Sequence, residues 1–160
     1  MVRQKDIYKK SRGIGAVEML VGISILAIMF IAISFTVMRF INTGKDVADK
    51  TQALYLAEEA LEMTRFIRDE KWNHIQSLTD GTIYYLDVTG TDIATSTTPE
   101  IIDIYTRSFT IDSVERDGGD DIVTSGAQDN TSKYVTATVT WGSPAKSVSL
   151  MTILADINNP

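Results

Sequence analysis

The chain has 160 residues, 44% of them apolar, which gives room for one modest folded unit. Its formal charge of −6 is uneven: residues 1–13 carry Arg3, Lys5, Lys9, Lys10 and Arg12 against Asp6, a net of +4, which leaves −10 on the remainder. An acidic remainder excludes nucleic acid as a partner, because binding phosphate requires clustered Lys and Arg, and the absence of cysteine excludes disulfides, thiolate metal sites and thiol nucleophiles.

The first predicted element is a helix. From Met19 to Met38 the sequence carries no charge, and at about 1.5 Å per residue this run spans roughly 30 Å, the thickness of a bilayer's hydrocarbon core. A buried core helix is the competing reading, but no other helix in the chain is apolar enough to enclose it. The basic tail ahead of the run holds that end on the cytoplasmic side. Three signals fit a basic tail and an apolar run: a conventional cleaved secretory signal, a permanent membrane anchor, and a prepilin leader. A conventional signal closes a shorter core with a small-x-small site, whereas here the segment continues through Ser34, Phe35, Thr36, Val37 and Met38 to Arg39 and Phe40. Upstream stand Lys9-Lys10-Ser11-Arg12-Gly13 and then Ile14-Gly15-Ala16-Val17-Glu18.

This upstream segment resembles the leader of type IV pilins and of the pseudopilins of type II secretion systems. In that family a short basic leader ends in Gly, a hydrophobic residue follows, and a Glu stands fifth after the cut at the head of a long apolar helix. The resemblance implies cleavage between Gly13 and Ile14 by prepilin peptidase, N-methylation of Ile14, and an assembly role for Glu18. Two positions depart from the pattern: Ile14 takes the place of the usual Phe, and Gly15-Ala16 that of the common Thr-Leu. An acid within an apolar helix costs about 2.5–3.5 kcal/mol at the helix centre and less near the interface, so a compensating cation is expected. Cleavage after Gly13 supplies one, the α-amino group of Ile14. At ~4 Å and an effective dielectric of ~20 the pair attracts by about 4 kcal/mol before desolvation is subtracted. The plainer reading of Glu18 is a side chain that snorkels to the lipid headgroups.

After Arg39 the pattern becomes amphipathic. Ala53, Leu56, Ala57, Ala60, Met63, Thr64 and Ile67 share one helical face, with Lys50, Glu58, Glu59, Glu62, Arg65 and Asp69 on the other sides. No proline interrupts residues 14–72, so one helix of roughly 59 residues, about 90 Å by its rise, is predicted. Gly44 is its weakest point, at about 1 kcal/mol relative to Ala.

Strands are predicted at Thr82–Val88 and at Ile104–Val114, the latter with Phe109 and Ile111 on one face. Tyr134–Trp141 turns Val135, Ala137, Val139 and Trp141 inward; Gly142-Ser143-Pro144 makes a turn, and Ser147–Ile157 returns. The segments Thr89–Pro99 and Asp117–Ser132 read as solvated connections. A sheet this small needs one face covered, and the amphipathic helix is the available cover. The fold class is therefore α+β, one long helix with a membrane-spanning first half and an amphipathic second half on a small antiparallel sheet, pilin-like by the resemblance. The divisions are a leader at 1–13, a transmembrane helix at 14–41, its amphipathic continuation at 42–73 and a sheet domain at 74–160.

Enzyme motifs are lacking. His74 is the single histidine, so a triad or a histidine metal cluster would have to be built on it, and it reads as a solvated residue at a helix end. Asp117, Asp120, Asp121 and Asp129, with Asn130, offer hard oxygen ligands of the kind calcium takes, but at a spacing unlike an EF-hand. They remain weak calcium candidates, no metal is assigned, and no cofactor is expected. The resemblance implies a filament subunit, minor in type, of a pilus or pseudopilus, inserted in the inner membrane with its soluble domain outside the cytoplasm. Its partners are then sibling pilin subunits, prepilin peptidase, a membrane platform protein and an assembly ATPase. A permanently anchored extracytoplasmic binding or sensor module is the alternative, and a secreted enzyme cut near residue 40 comes third.

Overall fold

The computed structural model describes residues 15–90 and 92–157. The chain divides into two compact units, one ending at Asp46 and one beginning at Val47. A single helix, α1 (Ala16–Glu70), provides the described secondary structure of the first unit and one layer of the second. Gly15 opens it by accepting the N–H groups of Glu18 at 2.9 Å and Met19 at 3.2 Å. The helix continues through Gly44 without a break. It ends at Glu70, and the last backbone bond runs from Lys71 to the Ile67 carbonyl. Trp72 turns inward and opens the one-turn helix α2 (Asn73–Gln76), so the helical run stops two residues before the expected boundary.

In the second unit α1 covers a seven-stranded antiparallel sheet: β1 (Ile83–Thr89), β2 (Asp92–Ser96), β3 (Glu100–Ile102), β4 (Tyr105–Arg116), β5 (Ile122–Val123), β6 (Ala127–Trp141) and β7 (Lys146–Ala155). The main path runs β2-β1-β4-β6-β7. β4 is the central strand. One of its edges pairs along its length with β6, and it also pairs with β3 at 105–107, with β1 at 109–110 and with β5 at 115–116.

The core is the seam that the alternation predicts. Ala53, Leu56, Ala57, Ala60, Leu61, Thr64 and Ile67 of α1 are buried, facing a sheet layer of Tyr105, Phe109, Ile111, Val135, Ala137, Val139, Trp141 and Leu154. The buried Thr64 hydroxyl satisfies itself on the Leu61 carbonyl at 2.8 Å.

Two segments read as connections are strands. Gly90, at φ +66°, allows β1 to turn back as β2, where Ile93 and Thr95 alternate inward beneath a Ser/Thr-rich composition. In the second segment β5 forms and β6 begins at Ala127, extending the β4 ladder to Arg116↔Ala127. The extension accommodates three extra residues, Asn130 to Ser132, where the register jumps between Ser113↔Lys133 and Val114↔Asp129.

Candidate functional site

The N-terminal signal is described from Gly15 onward, and the cleavage residues Gly13 and Ile14 lie outside the described residues. Glu18 sits in the first turn of α1 and is exposed. There its charge complements the unsatisfied N–H groups and the positive end of the helix dipole, a contribution of about 0.3–1 kcal/mol. Around it the large apolar side chains of the first unit are exposed, from Ile25 at 49% to Phe40 at 79%. Among the described residues α1 is the one helix long and apolar enough to cross a membrane, and its most apolar stretch buries nothing within the chain.

The polar groups of that stretch are closed off internally. Its hydroxyls, Ser24, Ser34 and Thr36, donate to the carbonyls four residues back, Leu20 at 2.7 Å, Phe30 at 2.8 Å and Ala32 at 2.9 Å. The helix satisfies its backbone and the hydroxyls satisfy themselves, so the segment presents no unmet donor to an apolar medium. This is the arrangement required of a single-pass membrane anchor, with which the helix is compatible.

The acidic loop is organised by hydrogen bonds to the protein itself. Asp117 accepts the N–H groups of Gly119 at 2.8 Å and Asp121 at 3.0 Å, and its own N–H donates to the Asp121 carbonyl at 2.9 Å. Asp120, at φ +70°, presents its carbonyl to Arg116 at 2.9 Å. Asp129 receives Nε of Arg116 at 2.7 Å and both the N–H and the hydroxyl of Thr131, at 2.8 and 2.7 Å. Burial alone would raise the Asp129 carboxyl, but the Arg116 and Thr131 bonds outweigh it and hold the group well below the ordinary carboxylate value. Asp117 and Asp129 thus serve different turns, and among the described residues no group of three or more His, Asp or Glu side chains is placed to hold a metal ion. His74 lies exposed in α2.

Two buried cations lie outside the residues that the sequence motifs single out. Arg107, 2% exposed, points from β4 toward the helix layer. It makes a two-pronged bond to Glu100 of β3, Nε at 2.8 Å and Nη2 at 2.5 Å, and its Nη1 lies 3.0 Å from Glu59 of α1. That third contact has the distance of an ion pair without the angle of a hydrogen bond, so Nη1 is a buried donor held by charge alone. Lys133 of β6 reaches Asp80 at 2.7 Å, and Asp80 also accepts the Ser113 N–H at 3.1 Å. Burial acts to raise Asp80; the bonds from Lys133 and Ser113 prevail and lower it. Both clusters join elements distant in sequence.

Comparison with family models, with curated proteins and with solved structures finds no match. The functional reading therefore rests on the chain's own residues.

Proposed function

We propose that the chain is the precursor of a type IV pilin-like filament subunit, minor in type, of a pilus or type II secretion pseudopilus. The observation that carries this reading is Glu18, an acid in the first turn of a helix whose large apolar side chains from Val17 to Val47 have no cover in their own chain. Such a surface is stable in lipid, or in a bundle of like helices, and not in water. In lipid the acid needs a cation, and processing after Gly13 makes one by exposing the Ile14 amine. Removing residues 1–13 also removes the +4 tether that holds the end in the cytoplasm. Cutting the chain thereby prepares it for assembly, with prepilin peptidase, a membrane platform protein, an assembly ATPase and sibling subunits as its partners in and around the inner membrane. No chemistry of its own is assigned.

Intact mass of the protein isolated from its native host tests the reading. Loss of residues 1–13, with or without a methyl group on Ile14, supports a pilin; retention leaves a permanently anchored module, and a new terminus near residue 40 a secreted domain. A Glu18→Ala variant is expected to insert and be cleaved as the wild type is, yet yield no filament when it is the sole copy. Normal filament yield from that variant would remove Glu18 from the assembly mechanism.

A further inference from the structure

The sheet ends in two edges of unlike character. β7 pairs with β6 over ten consecutive residues without a bulge, and among the described residues it has no second neighbour on the sheet path. Proteins ordinarily guard such an edge with a charge, a proline or a kink, but Ser147 through Ala155 contains none of these. Its inward residues Val148 and Leu150 are only half-buried, and its outward Met151 is 65% exposed. At the other end of the path β2 is only five residues long. It borders a groove of about 630 Å³, lined by Phe66, Ile67, Leu78 and Ile93 and edged by Glu70 and Asp92.

Four antiparallel steps separate β2 from β7, so the two edge strands run in the same sense. A β7-to-β7 pairing would be antiparallel and two-fold, and would reverse the helix layer of one copy against the other. That arrangement would set like edge against like edge and leave the short β2 strand and its groove uncovered. Two copies can instead place the β7 of one beside the β2 of the next as parallel neighbours, a head-to-tail contact that repeats. We propose that β7 of one copy docks along β2 in the groove of a second copy.

The chemistry of the two edges matches. Aligning inward residues sets Val148 beside Ile93 and Leu150 beside Thr95, so the half-buried side chains of one copy enter the apolar floor of the other. It also brings the basic end of β7, Lys146, to the acidic start of β2, where Asp92 stands. The choice of a second copy as the occupant rests on the filament reading above; the exposed edge and the groove do not.

Since the natural chain has no cysteine, cross-linking of the full chain in membranes reads the contact without background. In this alignment Ala94 of β2 and Ser149 of β7, both exposed, become facing neighbours on adjacent strands, about 4.8 Å apart and within disulfide range. Oxidation with copper phenanthroline is expected to convert the A94C/S149C double variant into a ladder of multimers, and each single variant to remain monomeric. Co-expressed single variants should give one mixed dimer and no ladder. Dimers from S149C alone would overturn the proposal in favour of two-fold pairing, and a double variant that stays monomeric would overturn it outright. Carbonate extraction of the same membranes separates this from the anchoring reading. An embedded chain without a ladder loses the edge contact alone, whereas a ladder from an extractable chain keeps the contact and loses the anchor.

Discussion

Residues 17–47 and residues 53–67 belong to one helix and obey opposite rules. In the first stretch phenylalanines, isoleucines and methionines stand uncovered and the few hydroxyls fold back on their own carbonyls. In the second the inward positions are small or aliphatic, Ala53, Ala57 and Ala60 among them, and the exposed positions are Glu58, Glu59 and Glu62 with the aromatic Tyr55 and Phe66. Backbone geometry is common to both, so side-chain chemistry alone decides which medium each segment can occupy. The bulky residues of the early stretch stand exposed, as a membrane-compatible helix would; the small residues of the later stretch have their cover in the sheet.

That contrast can be broken by matched substitutions. Trp72 and Trp141 both lie in the second unit, so tryptophan fluorescence of the full chain in detergent follows the unfolding of that unit alone. Phe109→Ala removes a ring with no solvent exposure and is expected to cost about 3–5 kcal/mol, while Phe30→Ala, at a position 72% exposed, should change stability by less than about 0.5 kcal/mol. Equal losses from the two would mean that the early stretch is part of the same folding unit. Glu100→Gln comes next. It leaves the Arg107 guanidinium buried with Glu59 as its only carboxylate, and a loss of about 3 kcal/mol in chemical denaturation is expected. No loss would show that the ion cluster does not hold the helix to the sheet.

The smallest effect is a pH dependence. Asp129 has a folded pKa below its unfolded value of 3.8, so the unfolded chain takes up the proton first as the medium is acidified. Its contribution is fully present above that value and fades as pH falls below it. Wild type should therefore exceed Asp129→Asn in melting temperature at pH 7, and the gap should narrow below about pH 4. A gap that holds constant through the acid range would show that Arg116 and Thr131 do not stabilise the ionised form.

The helix and the inner face of the sheet were legible because each rests on a period. Phe109, Ile111, Val135, Ala137, Val139 and Trp141 all occupy the face that alternation assigns them. The same alternation carries a further signal: Arg107 and Lys133 stand at inward positions, where a charge must find a partner. Strands β2 and β5 and the start of β6 were hidden by composition. β2 and β5 are only five and two residues long and lie among Asp, Asn, Ser and Gly, which carry little strand preference, and these segments pair because neighbouring backbone is on offer and, at Asp129, because Arg116 neutralises the side chain. In the candidate site, the position of Glu18 at the head of the helix was plain from the sequence. The engagement of the loop aspartates was not, since it depends on strands meeting across a register shift.

The order of elements along the chain also fixes an order in time. The face of α1 at Ala57 and Ala60 is complete long before the ribosome reaches Val135, Val139 and Leu154, the side chains that will roof it. At synthesis rates of about 5–20 residues per second that face waits several seconds without its lid. Through that interval the nascent polypeptide carries two greasy surfaces, one that stays exposed in the folded chain and one that its own tail will cover. The bare alanines of the second make it the less adhesive of the two, and so the one better able to wait.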